Sequence, residues 1–147
     1  MTMKKRMLFV TATVALLAVS QAQARNSVST YPIDDALKTG AGKVGDDVSL
    51  YFAGQPHPVV VKRQGEFATN KKTNAFGKSD LEACQHVFLS AVIALQERAR
   101  KEGGNAVIDI KSNYKNDLRA SATEFTCGAG AIMAGVALTG EVVTLKK

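Results

Sequence analysis

Ser79 to Gly104 reads SDLEACQHVFLSAVIALQERARKEGG, and this stretch decides the fold. Ser79 with Glu82 has the capping-box pattern. The serine hydroxyl accepts from the backbone N–H three residues on, and Glu82 reaches back to the cap's own N–H. From there Leu81, Cys84, Phe88, Ala91, Val92, Leu95 and Ala99 recur at spacings of three and four, one apolar stripe on a helical wheel. Arg98, Arg100 and Lys101 suit the negative end of the helix dipole, and Gly103-Gly104 supplies the stop. The pattern predicts a helix over about Leu81 to Glu102 that buries the Leu81/Phe88/Leu95 stripe. Val87 and Ile93 fall off that stripe, Ile93 nearly opposite it, amid Gln96, Glu97 and His86. They form the candidate interaction surface, although a lone exposed apolar residue needs no such explanation.

Strands are expected on both sides of the helix. Before it, Val48 to Phe52 is rich in β-formers, Gly54 to Pro58 makes a turn and Val59 to Lys62 resumes, which predicts a hairpin. Gly65 to Lys78 is polar, with Asn70, Asn74 and Gly77, and is expected as a loop. After the helix, Asn105 to Lys111 alternates, with Ala106, Ile108 and Ile110 on one face and Val107 and Asp109 on the other. Ala122 to Cys127 and Ala131 to Leu145 complete the set, the last bulged near Gly135 or Gly140. The order predicts a single α+β domain over residues 48–147. Its sheet is largely antiparallel, of about five strands, and one long helix covers it. Arg25 to Asp47 is polar and is expected to be an N-terminal extension, with a short turn of helix around Ile33 to Lys38.

The first 24 residues read as a cleavable signal peptide. Lys4-Lys5-Arg6 supply a basic start, Leu8 to Val19 an uncharged apolar run, and Ala22-Gln23-Ala24 the small residues before a cleavage site. The run is short for a bilayer span, which needs roughly 20 apolar residues. Cleavage is expected after Ala24, placing the mature chain in the periplasm. No transmembrane segment is expected in that mature chain.

Charge excludes one class of partner. Three of the 19 basic residues and none of the 13 acids lie in the signal, so the mature chain carries 16 against 13, a net charge of +3. Phosphate-backbone binding needs clustered Lys and Arg. Lys71-Lys72 with Lys78 come nearest and read more simply as a solvated loop, so nucleic acid is not an expected partner.

Cys84 and Cys127 are the only cysteines. In an exported chain an even count favours a bridge, and closing a loop of about 40 residues stabilises a fold by ~4 kcal/mol. The competing reading is a reactive thiol at Cys84, since a helix N-terminus lowers a cysteine's pKa. His57 and His86, the only histidines, read as surface residues. With both cysteines bridged too few ligands remain for a tetrahedral metal. Asp34-Asp35 and Asp46-Asp47 match no calcium loop. Lys72 to Ser79 ends like a phosphate-binding loop, but Lys72 stands where the first glycine belongs and no buried strand leads into it. No Gly-x-Ser-x-Gly motif and no His-centred triad stands out. The Gly-rich run Cys127 to Gly140 is expected as a strand whose small residues allow close packing.

The junction Gly103-Gly-Asn-Ala-Val-Ile-Asp-Ile110, following a helix and followed by a small-residue strand, resembles the YbjQ-like group of heavy-metal-binding domains. It is also similar to the RcsF-type envelope-stress sensor domain. The likeness covers about residues 81–143. It implies helices packed on a β-sheet, a metal role and oligomers. The sensor type implies a lipidated cysteine after the signal and two disulfides, whereas Arg25 follows Ala24 here and two cysteines allow one bridge.

The function expected is that of an exported, periplasmic, non-catalytic binding or sensing module held by one disulfide, with no cofactor. Its partner would be an envelope protein or a weak homo-oligomer. The alternatives are a metal-binding periplasmic protein, carried by the resemblance, and a small thiol-dependent or hydrolytic enzyme at Cys84.

Overall fold

The structure, a computed structural model, describes residues 26–147, so the expected signal peptide and its expected cleavage site lie outside the described residues. The chain forms β1 (Asn26–Pro32), α1 (Ile33–Thr39), β2 (Ser49–Phe52), β3 (Val60–Asn74) and α2 (Asp80–Glu102). It continues as β4 (Ala106–Tyr114), β5 (Asp117–Arg119), β6 (Glu124–Gly130) and β7 (Met133–Leu145). This is a single α+β domain with a mixed, seven-stranded sheet and two helices.

β7 is the spine of the sheet. One edge pairs along its whole length with β3, from Val60↔Leu145 to Asn74↔Met133. Its other edge is shared: β6 takes the first residues (Gly128↔Gly135) and β4 the rest (Ala106↔Val143). β1 extends β6 antiparallel, and β2 adds to β4 in parallel.

Several expectations are corrected here. Gly65 to Lys78 is mostly strand: its polar residues sit on a one-sided edge strand that β7 holds in register. Val48–Phe52 and Val59–Lys62 do not pair as a hairpin, because β2 and β3 lie on opposite sides of the β4–β7 pair. Residues 26–47 are no mere extension, since β1 is a sheet strand and Ile33 and Ala36 of α1 are core residues. The alternation of β4 breaks at a bulge where Asp109 adopts φ 52° and the register against β7 shifts. Val107 and Ile110 therefore join the main core under α2, while Ala106 and Ile108 join a smaller cluster with Val143 and Leu145.

α2 begins as its sequence indicates, with Ser79 Oγ accepting from the Glu82 N–H at 3.1 Å, and ends at Gly103 in the left-handed region. It buries more than one stripe, because it touches β3, β4, β6, β7 and α1. Val87, Leu89 and Gln96 are buried along with the expected Cys84, Phe88, Ala91, Val92, Leu95 and Ala99. Leu81, expected in the stripe, is 46% exposed in the first turn. The Gly-Gly-Asn-Ala junction then locks α2 to the sheet. A side chain on Gly104 would strike the Val143 carbonyl of β7. The Asn105 carboxamide donates to the Leu145 carbonyl (3.1 Å) and accepts from the Leu145 N–H (2.7 Å), copying a strand-to-strand pair.

Candidate functional site

The two cysteines are joined, with a Cα separation of 5.9 Å that suits a bridge, and both are fully buried. One helical turn beyond Cys84, Phe88 stacks on Phe125 at 4.1 Å between centroids. Phe52 and Tyr31 extend the row of rings at 5.9 Å each. The sulfur bridge and the Phe88–Phe125 stack are successive rungs between α2 and β6. A bridged Cys84 carries no thiol, and its sulfur is part of the core.

The remaining candidates are scattered. His57 and His86 are exposed on different elements, His57 with Nδ1 2.8 Å from the Pro58 carbonyl. Asp34 and Asp35 lie in the first turn of α1. Asp47 is gripped by Arg100 through two hydrogen bonds of 2.7 Å. That grip holds the Asp47 carboxyl below the usual carboxylate range and raises the Arg100 guanidinium. Among the described residues no group of three or more His, Cys, Asp or Glu side chains converges as metal ligands would. The segment ending Phe76-Gly77-Lys78-Ser79 is the tail of β3 and a turn that delivers the Ser79 cap.

Val87 and Ile93 do not form the outer surface expected of them. Val87 is fully buried and Ile93 is half-buried. Gln96, expected outside, is buried and satisfied. Its Nε2 donates to the Gly45 and Val48 carbonyls (2.7 and 2.8 Å), and its Oε1 accepts from the Gly45 N–H (3.0 Å). The loop before β2 folds over this side of α2, covering residues that a single-stripe helix would leave wet.

A surface that the pattern of residues did not single out lies at one end of the sheet. There the start of β1, the end of β6, the start of β7 and the end of β3 stand side by side, through the pairs Asn26↔Gly130 and Asn74↔Met133. On the sheet face away from α2, Gly128, Gly130 and Gly135 floor a hollow of about 390 Å³ walled by Tyr114, Ile132, Met133 and Lys72. Tyr114 reaches this place because Lys115 and Asn116, both at positive φ, turn β4 tightly into β5. Its ring lies over Gly128 and Gly135, which explains the small residues of the Gly-rich run. In its wall Ile132 is 65% and Met133 48% exposed, and Phe76, on the adjoining turn after β3, is 76% exposed. The available signal was Ile132-Met133 between two glycine-bearing strands, an apolar turn where polar residues are usual. Among the described residues no helix is long and apolar enough to cross a membrane.

Compared with family models, curated proteins and solved structures, the chain matches none.

Proposed function

We propose that this protein is an exported, periplasmic, non-catalytic binding or sensing module, and that it binds through the end of the sheet around Tyr114, Ile132 and Met133. One observation carries the reading. Among the large apolar side chains left exposed, Phe76, Ile132 and Met133 gather on adjoining turns beside an apolar hollow, whereas Val28, Val59, Val61, Leu81 and Leu118 lie on β1, before and in β3, on α2 and on β5. Exposed apolar residues gathered at a rim mark interaction sites more often than isolated ones do. The basic start, apolar run and Ala-x-Ala ending of residues 1–24 support export. A buried disulfide is at home in an oxidising compartment.

The test is site-specific photocrosslinking in cells, with a photoreactive amino acid replacing Ile132 and, as control, His86. Adducts to protein or lipid in the envelope fraction are expected from position 132 and not from 86. The absence of any adduct at 132, with the protein present and folded, would remove this surface as the binding site.

A further inference from the structure

Phe76, Ile132 and Met133 sit on two adjoining turns that share a hydrogen bond, Ala75 N–H to the Ile132 carbonyl at 2.7 Å. We infer that this end of the sheet docks on a lipid bilayer bearing anionic headgroups. Phe76, Ile132 and Met133 enter the interface, and Lys72, Lys78 and Lys115 meet the phosphates. The inference rests on the binding surface proposed above and names its partner.

Three features of the turns fit a membrane surface. First, three backbone donors of the Phe76 turn are already paired: Ala75 N–H as above, Phe76 N–H to Asn74 Oδ1 (2.9 Å) and Lys78 N–H to the Ala75 carbonyl (3.1 Å). Each pairing leaves one polar group fewer to strand when the tip leaves water. Second, the charges flanking the tip are mostly basic. Lys72 lines the hollow, Lys78 lies in the Phe76 turn and Lys115 stands 5.6 Å from the Tyr114 ring centre. The neighbouring acids are Asp80, which accepts from the Ser27 hydroxyl at 3.4 Å, and Asp117, opposite Tyr114 and held by Arg119 at 2.8 Å. Lysines around an apolar tip attract anionic lipid, and the same lysines would repel one another across a contact between two copies. Third, a ring of mixed character stands beside the hollow. Tyr114, with an apolar ring and a polar tip, is of the type enriched at headgroup depth.

The chain contains no tryptophan, so Ile132→Trp gives a single reporter in the exported protein. Flotation is measured with vesicles of phosphatidylcholine alone and of equal parts phosphatidylcholine and phosphatidylglycerol. Binding to the anionic vesicles only is expected, with a blue shift of the new tryptophan, quenching by brominated lipid and weakening in salt. Phe76→Glu and Lys72→Glu, both at exposed positions, are each expected to reduce binding about tenfold or more at unchanged thermal stability. No flotation, equal flotation with both vesicles, or flotation indifferent to Phe76→Glu would overturn the inference. So would a lipid-free dimer that Phe76→Glu dissolves, since a second copy would then be the occupant. A protein adduct at position 132 without vesicle binding defeats this inference alone and leaves the binding reading standing.

Discussion

The Tyr114 hydroxyl occupies the space that a side chain on Gly128 would need, so the glycine of one strand and the aromatic of another define each other. Gly128→Ala is expected to push the ring away and destabilise the fold by about 1–3 kcal/mol, the usual cost of overpacking. In a Tyr114→Ala background the same change should cost clearly less. Urea denaturation of the four proteins gives the coupling, and strict additivity would show that the ring swings aside freely.

Phe88 lies between two other rings and is fully buried. Phe88→Ala should cost about 3–5 kcal/mol, whereas His86→Ala, on the exposed side, should be nearly neutral. Leu81→Ala should also be mild, and Val87→Ala should cost about 2 kcal/mol. The reverse order for these last two, measured as urea midpoints, would restore the single-stripe helix.

Removing the bridge with Cys84→Ala and Cys127→Ala together is expected to destabilise by ~4 kcal/mol on the chain-entropy relation, for a sequence separation of 43. Non-reduced peptide mapping of the protein should recover the linked pair. Two free thiols there would contradict the bridge and reopen Cys84 to chemistry.

Gln96 satisfies three backbone groups of the loop before β2. Gln96→Leu keeps the volume but strands those groups, at a cost of about 1–3 kcal/mol. Hydrogen exchange should show the loop opening while the β3–β7 ladder keeps its protection. An unchanged loop would mean that packing alone holds it.

The Asp47–Arg100 tie links that loop to the last turn of α2 from the surface. Because the folded Asp47 carboxyl titrates lower than the unfolded one, its contribution is present above the unfolded value. It is lost as pH falls through the folded value, below about pH 4. Asp47→Asn should flatten this acid limb without altering the response near neutrality. Parallel pH profiles for the two proteins would show that the pair is too exposed to matter.

Local pattern was sufficient wherever one residue's neighbours in sequence carried the signal. The Ser79 cap, the three-and-four spacing after it and the Gly103 stop placed α2 within a residue of its observed ends. The apolar runs placed β4, β6 and β7 to within a few residues. Two cysteines and an export pattern gave the bridge. The α+β class follows from these elements alone, because each must bury one face against another.

Partners distant in sequence decided the rest. β3 is a strand because the whole of β7 offers it a ladder, and its solvent-facing polar residues leave no apolar period to read. β1 became a strand by pairing with β6, from the far end of the chain. Val87 and Gln96 are buried because α2 is covered on several sides, which a helical wheel drawn for one sheet cannot report. The hollow exists only where Tyr114 is turned over Gly128 and Gly135. A sequence records which side chains favour water or oil, but backbone hydrogen-bond partners and the covering of each face are chosen by the assembled chain.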